Sequence, residues 1–257
     1  MINDLILLSG NDIPIDEVHL ILHQPTIKEI GLIGEDKFFA GCEFLRFSKE
    51  KLSQQDRVGL DNITNFEIIM SIMREKNSNA AKNKNGALLV LALLFPTYKI
   101  HLNYEKMSID FTLIDDESQI YSLNKDNYNF FVKILNEILF LDGGDSTDYN
   151  PSGDMARQIA EKLRDRQAKL AAAKGKNNQK VAILSRYVSI LAVGENKDMN
   201  SLLNYTVYQL FDEFKRYQLY MAWDIDIRAK MAGAKDTEEV EDWMEDIHSN
   251  VDVNQSL

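Results

Sequence analysis

The sequence has few of the residues that most often carry covalent chemistry or bind soft metals. It contains one cysteine, Cys42, and four histidines. A single cysteine cannot close an intramolecular disulfide, which fits a reducing compartment. Cys42 lies close to Phe38, Phe39, Phe44 and Leu45 in the sequence. This apolar neighbourhood predicts a buried, inert thiol rather than an activated nucleophile.

Long hydrophobic runs and an excess of positive charge are also missing. The longest apolar run, Ala87–Phe95, is about half of what a bilayer-spanning helix needs and predicts a buried element. The N-terminus has no basic residue before its short apolar run, so we expect no secretory signal. The formal net charge of -11 argues against binding to nucleic acids or anionic membranes. We therefore expect a soluble cytoplasmic protein.

One basic stretch, between residues 157 and 180, departs from this acidic composition. Its basic side chains outnumber the acidic ones, but no aromatic residues are interleaved for base stacking. Two other interpretations explain this excess of basic side chains without nucleic acid: a solvated helix face, or docking onto an acidic protein partner. Contact with RNA or DNA stays open at this stage.

Recognised catalytic and ligand-binding motifs are absent from the sequence. No glycine-rich loop precedes a Lys-Ser/Thr pair, and no Gly-x-Ser-x-Gly occurs. His19 and His23 share one face of a predicted strand without a third ligand. Asp224 and Asp226, two apart on a predicted helix, point in different directions. We therefore expect no catalytic residue, no cofactor and no metal, with an enzyme of unrecognised class as a remaining alternative.

Local signals at the start of the chain predict two strands and then helices. Apolar residues on either side of Gly10–Asp12 indicate two short strands around a turn. Two capping boxes, Thr26 with Glu29 and Thr64 with Glu67, predict helix starts. The apolar pattern after the first box continues helically towards Cys42.

The stretches YKIHLNY, MSIDFTLID and SQIYSLN alternate apolar and polar residues and are separated by polar turn residues. They predict a three-stranded antiparallel meander. A helix from about residue 127 to 141 follows. Helices and strands that segregate in this way indicate an α+β domain rather than a parallel α/β sheet.

A change in composition divides the chain. Residues 142–153, rich in Gly, Ser, Asp and Pro, predict a linker between an α+β domain at 1–141 and an all-helical domain at 154–248. Residues 249–257 are expected to form a frayed tail.

Four helices are predicted in the C-terminal domain. The first covers about 155–174, and the second ends at Gly194. Asp198 is predicted to cap one long helix from Met199 to Met231. A short acidic helix from about residue 236 follows.

The predicted long helix has more apolar surface than one seam requires. A core-facing seam is formed by Leu203, Val207, Leu210, Phe214, Tyr217, Met221 and Ile225. The aromatic residues beside it, together with the tryptophan of the acidic tail, are Tyr205, Tyr208, Phe211, Tyr220, Trp223 and Trp243. Tyr and Trp are enriched at interface centres. Two interpretations stay open: these six residues are core, or they bind an apolar helix or a second copy of the chain.

The stretches HQPTIKEIGLIGEDKFF, YTVYQLFDEFKRYQLYMAWDIDIRAKMAGAK and EDWMED resemble tail assembly chaperone-type proteins of bacteriophages and prophages of Gram-positive bacteria. The resemblance covers the two ends of the chain. It implies a non-enzymatic protein in the cytoplasm of the bacterial host that coats apolar helices of the tape-measure protein and recruits tail-tube subunits. It implies no catalytic residues. Because the N-terminal half is large for a minimal chaperone, a structural virion protein of the tail or connector is the alternative.

Overall fold

The computed structural model describes residues 2–51, 59–60, 62–75, 78–140, 183–233 and 243–244. These residues form an α+β structure with two small antiparallel sheets, which confirms the predicted fold class. The helices are α1 Asp4–Ser9, α2 Ile27–Ile33, α3 Glu35–Leu45, α4 Asn65–Arg74, α5 Ser78–Leu94, α6 Tyr128–Ile138, α7 Ile183–Gly194, α8 Met199–Leu203 and α9 Val207–Met231, with a short 3₁₀ turn at Lys49–Lys51. The strands are β1 Ile13–Ile15, β2 Leu20–Leu22, β3 Tyr98–Asn103, β4 Ser108–Leu113 and β5 Ile120–Leu123.

The opening segment differs from its prediction. The first predicted strand is helix α1, and the hairpin of β1 and β2 follows it, with Pro14 inside β1. The side chain of Asn3 accepts a hydrogen bond from the amide of Leu5 and starts the helix. Gly10, with a φ of 69°, ends it in the left-handed conformation. The prediction was therefore wrong for the first strand and its turn, and right for the second strand.

Both predicted capping boxes are confirmed. The Thr26 amide donates to Oε2 of Glu29 at 2.7 Å, and the Thr64 amide donates to Oε2 of Glu67 at 2.8 Å. In each box the threonine Oγ1 accepts a hydrogen bond from the backbone amide of the glutamate at 3.2 Å. The helical pattern after the first box is divided at Gly34, whose φ of 94° separates α2 from α3.

The apolar side of α4 and part of the predicted apolar run in α5 are buried. The α4 stripe consists of Phe66, Ile69, Met70 and Met73. The buried members of the predicted apolar run are Ala87, Val90, Leu91, Leu94 and Phe95. This run therefore forms part of the core, as its length suggested.

The predicted three-stranded meander is also confirmed. Its strand order is β3-β4-β5, antiparallel throughout, with Tyr98 opposite Leu113. One face of the sheet contributes to an aromatic core in which the Phe95 and Phe111 rings are 4.8 Å apart. Phe131 of α6 joins this core at 6.1 Å from Phe95.

The predicted single helix from Met199 to Met231 is wrong. Asp198 does cap α8, since its side chain accepts from the Ser201 amide at 3.0 Å. However, α8 ends after five residues, and a third capping box starts α9. In this box the Thr206 amide donates to Gln209 Oε1 at 2.8 Å, and the Gln209 amide donates back to Thr206 Oγ1 at 3.2 Å.

The break between α8 and α9 is held by the N-terminal half of the chain. The Ile27 amide donates to the Tyr205 carbonyl at 2.8 Å, and Thr26 and Thr206 form an isolated antiparallel bridge. We call these backbone contacts the α2–α9 joint. Because the backbone at Tyr205 and Thr206 pairs in an extended conformation, it cannot continue the helix of α8.

Further hydrogen bonds link the described parts of the two predicted domains. Gln209 Nε2 donates to the Leu8 carbonyl at 2.6 Å, and Glu35 Oε1 accepts from the Leu184 amide at 3.0 Å. The predicted linker, the helix at about 155–174 and the tail lie outside the described residues. So does the predicted acidic helix, apart from Trp243 and Met244. The division into two domains therefore stays a prediction.

Two glycines let α3 and α5 approach closely. A Cβ added at Gly41 would lie 2.6 Å from the carbonyl carbon of Gly86 and 2.7 Å from Cγ2 of Val90. Such distances are sterically forbidden, so this crossing needs a residue without a side chain. Gly31 in α2 is different, because an added Cβ there meets no atom within 4 Å.

We predict that Gly41→Ala destabilises the protein by about 1–3 kcal/mol, because the methyl group overpacks the crossing. The matched control, Gly31→Ala, should stabilise it by up to about 1 kcal/mol through helix propensity. Urea unfolding of both variants measures the two free energies. Equal effects of the two substitutions would contradict the close crossing.

Candidate protein-interaction site

The lone cysteine lies in the core. Cys42 is 2% exposed, and burial raises the pKa of its thiol to about 12. The thiolate is therefore not populated near neutral pH, and Cys42 is not an activated nucleophile. This confirms the prediction of a buried, inert thiol.

The two N-terminal histidines do not share a strand, contrary to the prediction. His19 lies in the hairpin turn with a φ of 54°, and His23 follows β2. The His23 ring lies between two carboxylates, with Nδ1 2.8 Å from Asp12 Oδ1 and Nε2 3.2 Å from Glu29 Oε2. Nowhere in the described part of the chain do three His, Cys, Asp or Glu residues come together as a group that could hold a metal ion.

The two carboxylates favour the protonated imidazole of His23. Partial burial of the ring lowers its pKa, but the hydrogen bonds and charges of Asp12 and Glu29 outweigh burial and raise the pKa above its ordinary value. Partial burial also raises the pKa of Glu29, but hydrogen bonds from Thr26 and His23 outweigh it, and that pKa is lowered. A protonated ring can donate to both carboxylates at once. The arrangement ties the β1–β2 hairpin to the start of α2.

A row of polar residues crosses the outer face of the three-stranded sheet. His101 is opposite Asp110, which is opposite Ser122. Both Ser122 Oγ and Ser108 Oγ donate to Asp110 Oδ1 at 2.7 Å, and Asn103 Nδ2 donates to Oδ2 at 3.1 Å. A nucleophilic serine needs a base that accepts its proton, usually a histidine. Here both serine hydroxyls donate to the carboxylate of Asp110, so the row is a hydrogen-bonded network.

The two aspartates of the DID stretch in α9 form separate ion pairs. Asp224 Oδ2 is 2.9 Å from Arg228 Nη2, and Asp226 Oδ2 is 2.7 Å from Lys230 Nζ. Each aspartate therefore has its own partner one turn later. The two carboxylates point in different directions, as expected for residues two apart on a helix.

The first half of α9 packs into the core. Tyr208 is 3% exposed, and its ring lies 5.2 Å from that of Phe140. Phe211 is partly buried, 5.2 Å from the Tyr187 ring, and Phe214 stacks on Tyr187 at 3.7 Å. Of the six aromatic residues singled out in the sequence, Tyr208 and Phe211 thus contribute to internal packing.

Tyr205 lies at the α2–α9 joint and is partly buried. Lys197 Nζ is 3.4 Å from its hydroxyl and 5.7 Å from the centre of its ring. Lys197 also forms ion pairs with Glu195, at 3.1 Å, and with Glu213 of α9. The surroundings of Tyr205 are therefore an ion-pair network that fixes the α7–α8 loop to α9.

The other three aromatic residues form a cluster, which we call the aromatic cluster: Tyr220, Trp223 and Trp243. Their ring centres are 6.2 Å apart for Tyr220 and Trp223, 5.5 Å for Tyr220 and Trp243, and 6.4 Å for the two tryptophans. Arg216 Nη1 donates to the Trp243 carbonyl at 3.0 Å. This bond holds Trp243 against α9, although the two lie far apart in sequence.

Among the described residues, the second half of α9 is less buried than the first. The end of α7 packs against Tyr217, since a Cβ added at Gly194 would lie 2.5 Å from Tyr217 Cζ. From residue 218 to 231, all of which are described, Asp226 alone is buried. Tyr220 is 44%, Met221 36% and Ile225 62% exposed. We call Tyr220, Met221, Trp223, Ile225 and Trp243 together the α9 face; on the helix, Tyr220 and Trp223 lie along one line and Met221 and Ile225 along another.

Sequence reasoning placed Met221 and Ile225 in a core-facing seam, and the structure corrects this. The seam is buried at Val207 and Leu210 but exposed at Met221 and Ile225. Periodicity shows which residues share a face, but it does not show how far along the helix the neighbouring elements extend. The sequence contains no signal that could have located this limit.

Comparison with known proteins connects this region with a phage-related family. The family described as "YomV second domain" matches residues 175–248, which include α7, α8, α9 and the aromatic cluster. The match covers less than a third of the chain and indicates a phage-related protein. It is not specific to tail assembly or to a chaperone. A comparison with curated proteins and one with solved structures each found no significant match.

Within the described residues, no helix is both long and apolar enough to cross a lipid bilayer.

We predict that the contribution of His23 to stability depends on pH. Because its folded-state pKa lies above the ordinary value of 6.5, this contribution is complete below about pH 6.5 and is lost as the pH rises through the folded-state pKa. In urea unfolding, His23→Gln should therefore lower the free energy of unfolding more at about pH 6 than at about pH 9. His101→Gln, which changes an exposed histidine, is the control. The same pH dependence in both variants would contradict the role of the two carboxylates.

Proposed function

We propose that this chain is a non-enzymatic protein-binding protein that acts in phage tail assembly and holds apolar helical segments of a tape-measure-type partner. The observation that supports the binding role is the α9 face, where Tyr220, Met221 and Ile225 are exposed on the helix and Trp223 and Trp243 are half-buried beside them. The phage-related match to residues 175–248 and the resemblance to tail assembly chaperones support the biological setting.

The spacing of the α9 face suits a helical partner. Tyr220 and Trp223 are three residues apart and Met221 and Ile225 are four apart, so each pair lies on neighbouring turns. The two pairs form two separate lines on the helix, and each line offers apolar anchors at the spacing with which an amphipathic helix binds. Trp223 and Trp243 supply large apolar area with a polar N–H, which is typical of interface centres.

The charge of the protein favours its solubility while the α9 face is not bound to a partner. The net charge of -11 favours solubility and disfavours anionic competitors. On the helix itself, Asp224 and Asp226 are each neutralised by a basic partner one turn away. The helical part of the α9 face therefore carries no net charge of its own, whereas Trp243 lies in the acidic stretch EDWMED.

A non-enzymatic role agrees with the chemistry of the described residues. The cysteine is buried, the serines beside Asp110 donate to a carboxylate, and the aspartates of α9 are paired with basic residues. Under this proposal the protein works in the cytoplasm of the bacterial host and needs no cofactor. Its partner is the tape-measure protein, a tail-tube subunit or a second copy of the chain.

Co-expression with helical fragments of the tape-measure protein from the same phage tests the proposal. The wild-type chain should keep such a fragment soluble and copurify with it. Trp223→Ala combined with Ile225→Ala should weaken binding by at least about 30-fold, because interface hot spots contribute roughly 2 kcal/mol or more. Leu32→Ala is the matched control, since Leu32 is an exposed apolar residue of α2, 84% accessible.

A fragment that stays insoluble and unbound in the presence of the wild-type chain would contradict the proposal. So would equal binding by the double variant and the Leu32→Ala control, once thermal unfolding has shown that both are folded. Mass spectrometry of purified virions separates the chaperone from the structural alternative. A chaperone should be missing from the particles, whereas a tail or connector component should be present in stoichiometric amounts.

A further inference from the structure

The ring of His23 and the first capping box meet on one oxygen atom. Glu29 Oε2 accepts from the Thr26 amide at 2.7 Å and from Thr26 Oγ1 at 2.8 Å, and it lies 3.2 Å from His23 Nε2. On the other side of the ring, Nδ1 is 2.8 Å from Asp12 Oδ1. The His23 amide donates to the Leu94 carbonyl at the end of α5 at 2.7 Å, which holds the backbone in place. Among the described residues, Asp12 and Glu29 are the charged groups that act on the ring.

The threonine of this box also belongs to the α2–α9 joint. Thr26 forms the antiparallel bridge with Thr206. The next amide along the chain, that of Ile27, donates to the Tyr205 carbonyl at 2.8 Å. Glu29, through its bonds to Thr26, therefore connects the histidine to the backbone at which the start of α9 is attached.

We propose that the proton on His23 Nε2 is a switch that tightens the α2–α9 joint. Only the protonated ring has an N–H on both nitrogens and donates to Asp12 and Glu29 at once. The neutral ring keeps one N–H, and the shorter contact assigns it to Nδ1 and Asp12. The lone pair of Nε2 then faces the Glu29 carboxylate and repels it. Because the same oxygen bonds to Thr26, this repulsion weakens the capping box and loosens the joint.

The second capping box is built alike but has no histidine bonded to its glutamate among the described residues. The Thr64 amide and Oγ1 both donate to Glu67 Oε2 at 2.8 Å. Hydrogen bonds from Thr64 lower the pKa of Glu67. Partial burial raises the pKa of Glu29, but hydrogen bonds from Thr26 and His23 outweigh it and lower that pKa. Both glutamates therefore stay ionised between about pH 6 and about pH 9, and His23 is the member of the two arrangements that changes charge.

The switch is independent of the α9 face and of any partner, and it does not rest on the proposed function. Its effect is local, since it acts on the backbone that attaches the first turn of α9.

Amide hydrogen exchange of the full chain, followed by NMR at about pH 6 and about pH 9 and corrected for the intrinsic rate, tests the switch. The protection of the Ile27 and Glu29 amides should fall by about 3-fold or more between these two values, because one hydrogen bond is lost. The Glu67 amide should keep its protection. In His23→Gln the Ile27 and Glu29 amides should be equally protected at both values, whereas His101→Gln should behave as the wild type.

An equal loss of protection at Glu29 and Glu67 would overturn the proposal, and so would protection of the Ile27 amide that does not depend on pH. Nitrogen-15 NMR of the His23 ring gives a second test that needs no variant. At about pH 9 the ring proton should reside on Nδ1. A neutral ring that carries its proton on Nε2 would contradict the switch, because Glu29 would then keep its donor.

Discussion

The attachment of α9 at its first turn is the constraint on which the rest of the account depends. The α2–α9 joint, the capping box of Thr206 and Gln209, and the bond from Gln209 to the Leu8 carbonyl all act within the first few residues of this helix. Packing of Tyr208 and Phe211 then fixes the next turns. Because the attachment between described residues is concentrated at one end, Tyr220, Met221 and Ile225 towards the other end remain exposed. The surface that we propose for a partner is a consequence of this one-sided attachment.

Much of the fold could be predicted because its signals are local. Capping boxes depend on two residues three apart, and the meander depends on alternation within single strands, so both were visible in the sequence. The errors arose where a distant part of the chain decides the local conformation. The α8–α9 helix is broken because Tyr205 and Thr206 pair with residues of the N-terminal half. The helix at Asp4–Ser9 is stabilised by caps at Asn3 and Gly10. Sequence reasoning missed these caps because Leu5 and Leu7 suggested a strand.

The candidate site was foreseen only in part, for a similar reason. Composition and spacing identified the helix and its aromatic residues, including Tyr220, Trp223 and Trp243. They could not separate these residues from Tyr208, because burial depends on where α7 and α6 end in space. They could not show that Arg216 holds Trp243 against the helix either, since that contact joins residues 27 apart in sequence. An interaction surface is therefore harder to derive from sequence than a catalytic motif. It is defined by which side chains the rest of the fold leaves exposed, and the spacing of residues in the sequence does not show this.

The central claim is that a helical partner covers the α9 face, and the intrinsic fluorescence of the protein tests it most directly. The chain contains two tryptophans, and both belong to the aromatic cluster, so their emission reports on this surface. Titration with a tape-measure helix should shift the emission to shorter wavelength as water is excluded from Trp223 and Trp243, and the shift should saturate. Emission that stays unchanged while the helix demonstrably binds would show that the partner occupies another surface and would contradict the account.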